Sequence, residues 1–170
     1  IYKILQTKTT AINKISFTGS VPIGTHIAKN AGMKKLTLEL GGNDPTIVLK
    51  DADMDKAVTA IVNGAYLFSG QVCMGVKRVI VERDIIDEFT QKLVKETAKL
   101  KVGNPMNKDT DIGPLINTKA VEYVDEVVND AVSNGANVEI GVKVKNNFYW
   151  PTVLTGIKED MKIVSNETLI

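Results

Sequence analysis

Strand patterns alternate with helix patterns along the chain, and this alternation restricts the possible folds more than any other feature of the sequence. A strand-like run is followed directly by an amphipathic helix-like run at three places, residues 14–31, 46–68 and 76–100. Parallel strands need a long crossover connection, which a helix usually supplies. We therefore predict an α/β fold with mostly parallel strands.

Hydrophobic period, caps and turn formers set the expected boundaries of these elements. The predicted strands are residues 14–18, 36–40, 46–50, 76–82, 138–140 and 149–154. The predicted helices are residues 22–31, about 54–68, 85–100 and 118–134. We expect Asp51 or Asp53 to cap the second helix, Asp84 to cap the third, and Gly135 to end the fourth.

Helical spacing places apolar side chains on one face of each long helix, and we interpret these faces as core. In the second helix the expected face is Ala57, Ile61, Ala65 and Phe68. In the third it is Ile86, Phe89, Leu93 and Leu100. In the fourth it is Val121, Val124, Val128 and Ala131.

Charge and cysteine content exclude several classes of partner and site. With 21 basic and 20 acidic side chains, the formal charge of +1 gives no electrostatic reason to expect nucleic acid or an anionic membrane as partner. One cysteine and one histidine can form neither an internal disulfide nor a zinc site, so no metal is expected. Because no signal peptide or long apolar span is present, we expect a cytoplasmic protein.

A glycine turn lies between the first predicted strand and the first predicted helix. Gly19 and Ser20 follow the strand, and Pro22 begins the helix. Free N–H groups and the positive end of the helix dipole make such a turn a natural site for a phosphate. A serine cap with a turn glycine, binding nothing, is the alternative.

Two residues suited to catalysis lie at the ends of predicted elements. Cys73, the only cysteine, lies in the loop between a helix pattern and a strand pattern, and Glu39 closes a strand before Gly41 and Gly42. Catalytic groups are often found on loops and strand ends that a rigid sheet holds in place. A cysteine is also among the most buried residue types, so Cys73 as a small core residue is the alternative.

Several motifs, taken together, resemble those of the aldehyde dehydrogenase superfamily. Residues 15–20 followed by Gly24 resemble its cofactor-phosphate turn, residues 39–42 its glutamate motif, and residues 70–73 its nucleophile loop. Gly-Asn-Pro at 103–105, Gly-Pro at 113–114 and the run at 148–154 are similar to further family signatures in the expected order. The resemblance covers nearly the whole chain.

The resemblance implies a three-layer α/β fold and a division into two domains. Residues 1–40 would be the end of the dinucleotide-binding domain, and residues 41–170 a catalytic domain truncated at its C-terminal end. The main cofactor-binding half of the family would lie upstream of Ile1, and its oligomerisation strand beyond Ile170. We therefore expect a piece of a longer protein that forms a homo-oligomer when full length.

The resemblance also implies the chemistry and its residues. Cys73 as thiolate would attack an aldehyde, hydride would pass to NAD or NADP, and Glu39 would activate the water that hydrolyses the thioester. A thiol ordinarily loses its proton near pH ~8.5, so the loop must favour the thiolate. The implied cofactor-binding residues are Gly19, Ser20, Val21, Gly24, Leu40 and Glu167.

Two other functions remain open at the level of sequence. One is a truncated relative that folds but does not turn over, acting as a structural or interaction module. The other is a thiol esterase that uses Cys73 and Glu39 without a cofactor. Within the dehydrogenase reading, the sequence does not select between NAD and NADP or among semialdehydes, lactaldehyde and glyceraldehyde 3-phosphate.

Overall fold

The computed structural model describes residues 12–167, which form two compact units divided between Gly41 and Gly42. The first eleven residues of the predicted 1–40 segment, and the last three of the predicted 41–170 segment, lie outside the described residues. The assignment of the two segments to a cofactor domain and a catalytic domain stays a prediction. Each unit is described by itself.

The first unit is a strand–helix–strand crossover. Strand β1 (Lys14–Thr18) leads through the glycine turn into helix α1 (Val21–Asn30), which returns the chain to strand β2 (Lys35–Glu39). The two strands are parallel, with Thr18 opposite Glu39. Their carboxyl ends therefore lie side by side at one edge of the unit.

The local sequence accounts for this unit. Side chains in β1 and β2 alternate between exposed and partly buried, as the apolar and polar alternation requires. Helix α1 begins with a proline in its first turn and buries Ile27, while Ala31 is buried just beyond its end. Gly32 follows with a φ of +61°, the left-handed conformation in which helices often end.

The second unit contains the remaining elements, which are strands β3 (Asp44–Val48), β4 (Val76–Val81), β5 (Asn137–Ile140), β6 (Val144–Lys145), β7 (Phe148–Tyr149) and β8 (Val153–Thr155), and helices α2 (Met54–Tyr66), α3 (Ile86–Thr97), α4 (Thr118–Ser133) and α5 (Lys162–Ser165). The longer strands β3 and β4 pair in parallel, whereas β5–β8 and β6–β7 are short antiparallel pairs. Strand–helix–strand crossovers with parallel pairs confirm the predicted α/β class.

One core of this unit lies where α2 and α3 pack on the β3–β4 pair. Phe89 and Leu93 of α3 are buried against Val58, Ile61 and Val62 of α2. The predicted position of Phe68 on the α2 face is wrong, because α2 ends at Tyr66 and Phe68 is 75% exposed. Asp84 does not cap α3 either, since it lies within a short 3₁₀ turn, Arg83–Ile85, that precedes the helix.

A second core lies under α4. Val121 and Val128 pack with Leu115 and Tyr149, as the predicted helix stripe requires. The α4 helix ends as expected before Gly135, which has a φ of +99°. The single strand predicted at 149–154 is wrong: it is divided into β7 and β8, because the intervening Pro151 has no N–H to donate to a strand ladder.

Candidate active site

The loop that carries Cys73 contains unusual backbone conformations. Helix α2 ends at Tyr66, and the following turn, Leu67–Gly70, places Phe68 and Ser69 at φ values of +49° and +61°. Non-glycine residues in the left-handed region each cost of order 1–3 kcal/mol and occur where the surrounding structure holds them for a purpose. The cysteine loop is therefore a strained segment between α2 and β4.

Two side chains tie this loop to the segment that contains the Gly-Pro motif at 113–114. The Ser69 hydroxyl donates to the Gly113 carbonyl at 3.1 Å. The Gln71 side chain accepts from the Ile116 N–H at 2.8 Å and donates to the Phe68 carbonyl at 3.1 Å. The motif thus acts as a support for the cysteine loop, a role that the sequence alone did not reveal.

The thiol of Cys73 is free and the residue is exposed. Its neighbour Met74 is 74% exposed, so the loop presents an apolar surface beside the thiol. This exposure excludes the alternative in which Cys73 packs as a small core residue.

An apolar cavity of about 610 Å³ lies inside the second unit and reaches the inner side of the same loop. Its lining includes Tyr66, Ser69, Val76 and Lys77. The Tyr66 hydroxyl donates to the Thr152 carbonyl at 3.0 Å, and desolvation raises the pKa of Tyr66 to about 12. The last residue of α2 is therefore fixed to the segment between β7 and β8, at the point where the cysteine loop begins.

Glu39 ends β2 in the first unit, and its side chain is exposed. Its carbonyl accepts a hydrogen bond from the Gly19 N–H at 3.0 Å. The structure therefore brings together the glycine turn and the predicted general base at one edge of the first unit. Because Glu39 and Cys73 belong to different units, their catalytic pairing stays a prediction.

The glycine turn leaves the Ser20 hydroxyl uncommitted to capping. Ser20 is the N-cap of α1, but its side chain makes no cap hydrogen bond, and the Gly24 N–H bonds to its carbonyl at 3.0 Å. Val21, the first residue of α1, is 41% exposed. A Cβ on Gly24 would lie 2.5 Å from Leu40 Cδ2, so Leu40 packs directly against the helix backbone. The side-chain hydrogen bond of a serine cap, which the alternative interpretation of this turn supposes, is therefore absent at Ser20.

Glu167 lies near the end of the second unit and has a distinctive environment. Its carbonyl accepts from the Tyr123 hydroxyl at 2.8 Å. Its side-chain oxygen Oε1 is buried and makes no hydrogen bond within residues 12–167. A buried acceptor without a donor is costly, so this oxygen requires a donor from outside residues 12–167.

Sequence reasoning missed Asn43, which holds the segment before Glu167. Its amide nitrogen donates to the Val164 carbonyl at 2.9 Å and to the Asn166 carbonyl at 3.4 Å. The Arg78 guanidinium in turn donates to the Asn43 carbonyl through Nε at 3.1 Å and Nη2 at 2.8 Å. The only signal in the sequence was the position of Asn43 in a cluster of turn formers.

Neither a metal centre nor a membrane span is found in the part of the chain that the structure describes. Within residues 12–167, no three histidine, cysteine or carboxylate side chains come together to hold a metal ion. The helices of that part are too short or too polar to cross a bilayer.

Comparison with known proteins identifies the family. The model of the aldehyde dehydrogenase family matches residues 5–169. The chain belongs to this family. The resemblance carried by the glutamate motif at 39–42 and the nucleophile loop at 70–73 is thereby confirmed as to family.

Similar proteins have related activities. The chain is 48% identical over 147 residues to a lactaldehyde dehydrogenase of Methanococcus aeolicus, a match that covers 86% of this chain and 32% of that protein. It is 46% identical to a 3-sulfolactaldehyde dehydrogenase of Priestia megaterium, over 92% of this chain and 33% of that protein. The chain thus spans about a third of the length of these relatives.

Solved structures of aldehyde dehydrogenases share its fold. The glyceraldehyde-3-phosphate dehydrogenase GapN of Methanocaldococcus jannaschii, solved with NADP, matches at a TM-score of 0.91 and 42% identity, over 95% of this chain and 35% of that one. A betaine aldehyde dehydrogenase of Staphylococcus aureus, solved with NAD+, matches at a TM-score of 0.88 and 36% identity, over 92% of this chain and 33% of that one. The aldehyde dehydrogenase fold is therefore confirmed.

Proposed function

We propose that this chain belongs to a protein that oxidises an aldehyde to a carboxylic acid with NAD or NADP, with Cys73 as the nucleophile. The observation that carries the proposal is the exposed thiol on a strained loop that Ser69 and Gln71 fix in place. A nucleophile must be accessible and held in one orientation, because a misplaced sulfur loses the advantage of proximity.

The first half of the reaction takes place on Cys73. Its thiolate attacks the aldehyde carbon, and the carbonyl oxygen takes the negative charge of a tetrahedral thiohemiacetal. A nicotinamide cofactor supplies the hydride acceptor, which leaves an acyl thioester on the sulfur when the hydride departs. The N–H groups between Val72 and Met74 are the nearest main-chain donors to the developing charge along the chain.

The second half requires a general base, for which Glu39 is our candidate. Its exposed carboxylate accepts a proton from water, the hydroxide attacks the thioester carbon, and the sulfur leaves as thiolate with release of the carboxylic acid. The position of Glu39 at the end of β2 supports this role, because a strand end places a side chain at an edge without sacrificing rigidity.

Residues in both units suit a dinucleotide. The start of the ten-residue helix α1 presents the N–H groups of Ser20 and Val21, and the Ser20 hydroxyl is not used for capping. Gly24 and Leu40 pack so closely that the start of the helix is held against the end of β2. Glu167 Oε1, which has no donor among residues 12–167, fits a hydroxyl donor such as that of a ribose.

Alkylation of the single thiol tests the nucleophile. We expect iodoacetamide to label Cys73 in the native protein, at a rate that rises with pH, and the Cys73→Ser variant to take up no label. Mass spectrometry gives the extent of labelling at each pH. Labelling that requires denaturation would contradict the assignment.

Pre-steady-state kinetics of the full-length protein test Glu39. With Glu39→Gln we expect a burst of about one equivalent of reduced cofactor per thiol, followed by turnover reduced about 10²- to 10⁴-fold, because acylation survives and deacylation does not. The control is Glu122→Gln, which changes an exposed glutamate on α4. Loss of the burst along with turnover would place Glu39 elsewhere in the mechanism.

Calorimetric titration with NAD and NADP tests the cofactor residues. We expect weak or undetectable binding by the 170 residues alone, and in the full-length protein a loss of affinity with Ser20→Asp, which places a negative charge at the phosphate turn. Glu167→Gln in the full-length protein tests the ribose contact. Micromolar binding by the 170 residues, or unchanged affinity with Ser20→Asp, would move the cofactor site away from this turn.

The relatives suggest which substrate to test first, and the exposed thiol would also suit cofactor-independent ester hydrolysis. Lactaldehyde is the first candidate, because the most similar relatives named above include a lactaldehyde dehydrogenase. Hydrolysis of activated esters through Cys73 without NAD(P) is the second candidate function, and ester turnover in the absence of cofactor would favour it. A protein that binds neither cofactor nor aldehyde would be the inactive module. A cytoplasmic location and a homo-oligomer belong to the same proposal.

A further inference from the structure

Lys77 is a charged residue that lies behind the cysteine loop and that the mechanism above does not use. It is the second residue of β4, and its side chain is half-buried. Its ammonium donates to the Gly70 carbonyl at 2.5 Å. The contact links the strand that follows the loop to the residue that begins it.

The acceptor of this bond is a peptide group with unusual freedom. Gly70 has a φ of +79°, and without a Cβ its peptide with Gln71 can turn to other orientations at little cost. Gln71 and Val72 are all that separate this peptide from Cys73. A rotation of the Gly70 peptide would therefore change where the sulfur points.

The ammonium lies among main-chain carbonyls at the far end of the loop as well. The position that a Cβ on Gly75 would take is 3.4 Å from Lys77 Nζ, 3.2 Å from the Val72 carbonyl oxygen and 3.5 Å from the Gly64 carbonyl oxygen. The charge is thus close to the residues on both sides of Cys73. Among the described residues, the hydrogen bond that the ammonium makes is the one to the Gly70 carbonyl.

The environment of the ammonium is costly to maintain. Desolvation lowers the pKa of Lys77, and the negative charge of Asp44 acts in the opposite direction. Asp44 Oδ2 is buried without a hydrogen bond from any described residue, and it lies 2.8 Å from the Cβ position of Gly42, which is itself 3.0 Å from the Cys73 carbonyl oxygen. Two charged groups are therefore partly buried near the main chain of the cysteine loop, where apolar residues would cost less.

We propose that Lys77 is a positioning residue, whose ammonium holds the Gly70 peptide in one orientation and thereby aims the Cys73 thiol. The inference rests on the proposed role of Cys73 as the nucleophile. Lys77 touches neither substrate nor thiol in this reaction and acts through the loop main chain. The alternative is that the contact only stabilises the fold, in which case a stably folded variant without it keeps a normal thiol.

The test compares the iodoacetamide labelling rate of Cys73 in three variants. Lys77→Met keeps an unbranched apolar side chain, one heavy atom shorter than lysine, and removes the donor. Lys77→Gln has the same chain length as methionine and replaces the ammonium by a neutral amide that ends one atom short of the Nζ position. Lys77→Arg keeps a cationic donor. The matched control is Lys158→Met, because the Lys158 ammonium also donates to a main-chain carbonyl, that of Asn134, at 3.3 Å.

We expect Lys77→Met and Lys77→Gln to label about tenfold more slowly than the wild type. Loss of one charge-assisted hydrogen bond should lower the population of the loop conformation that holds the Gly70 peptide in its present orientation by about this factor. Lys77→Arg should label within about threefold of the wild type and Lys158→Met at an equal rate. Urea unfolding of each variant confirms that the labelled species is folded. If Lys77→Met does not fold, Lys77→Gln, with its polar side chain, carries the comparison.

Three results would overturn the inference. Wild-type rates in Lys77→Met or Lys77→Gln would leave the contact with a structural role only. Equal slowing in all three variants, arginine included, would mean that the donor has no part in the effect. A wild-type thiol that labels only after denaturation would refute the proposed nucleophile, and with it this inference, and that outcome differs from the other two.

Discussion

Replacing Gly141 by alanine should destabilise the second unit far more than the same change at Gly135. Both glycines are left-handed, with φ values of +102° and +99°, so alanine adds similar backbone strain at each, about 1–2 kcal/mol. The space around them differs. A Cβ on Gly141 would lie 2.3 Å from Thr152 Oγ1 and 2.5 Å from the Pro151 carbonyl oxygen, whereas the nearest atom to one on Gly135 is the mobile end of Lys158, 3.7 Å away.

The loss of stability expected for Gly141→Ala depends on the hydrogen bonds that Thr152 makes. Its hydroxyl accepts from the Val142 N–H at 3.0 Å, and its carbonyl accepts from the Tyr66 hydroxyl. Moving this residue adds about 1–3 kcal/mol of overpacking and about 1 kcal/mol for a weakened hydrogen bond. We expect a loss of about 3–6 kcal/mol for Gly141→Ala and about 1–2 kcal/mol for Gly135→Ala. At about 2–4 °C per kcal/mol for a chain of this size, the two midpoints should differ by about 4–15 °C.

The fluorescence of Trp150 allows unfolding to be followed close to the substituted residue. It is the only tryptophan in the sequence and directly precedes Pro151, so its fluorescence reports on the region that the new methyl group would displace. Heat and urea unfolding of the two variants and the wild type, followed at this residue, give the comparison. Equal midpoints for Gly141→Ala and Gly135→Ala would show that the 151–152 segment moves freely, and the steric argument would fail.

Three further predictions concern stability. Because the pKa of Tyr66 is about 12 in the folded chain and about 10 in an unfolded one, the native state keeps the proton longer. The contribution of Tyr66 to the free energy of unfolding should therefore fall between pH 10 and 12, by at most about 3 kcal/mol. Urea titrations across that range should show a shallower fall in Tyr66→Phe. Phe89→Ala removes a side chain that is 2% exposed and should cost about 3–5 kcal/mol in urea unfolding, and a loss below about 1 kcal/mol would contradict the described core. Asn117 caps α4 through a 2.9 Å bond from the Ala120 N–H, so Asn117→Ala should cost about 1 kcal/mol and Asn117→Asp should restore it, as measured by thermal unfolding.

Local pattern predicted the elements well where local forces determine them. Strand β1 has the predicted bounds, because its alternation of apolar and polar residues is typical of a strand alone. Helix α4 begins at the predicted residue, because a cap and an apolar stripe mark its start. The assignment of Phe68 to the α2 face failed for a different reason. The turn after Tyr66 is held by a bond from Ser69 to Gly113, 44 residues away, and neither glycine nor proline marks residues 67–69.

The residues of the candidate site also fall into those that the sequence predicted and those that it did not. Motif resemblance singled out Cys73 and Glu39, which the structure places at a loop and a strand end, as expected. The supports around them were not predictable from spacing. Asn43 bonds to a carbonyl 121 residues away. The Lys77 ammonium bonds to the Gly70 carbonyl, and the position of a lysine in the sequence does not show which carbonyl it will contact. Such contacts depend on which segments meet, and only the folded chain determines that.

The hydrogen bond from the Gly19 N–H to the Glu39 carbonyl has a consequence for redesign. This main-chain hydrogen bond joins the residue that opens the glycine turn to the residue proposed as general base, so a backbone shift at one is transmitted to the other. Substitutions introduced at Ser20 or Val21 to change cofactor preference would also shift the backbone that carries Glu39. Variants selected for a new cofactor should therefore show altered thioester hydrolysis, even though no residue that handles water has been changed.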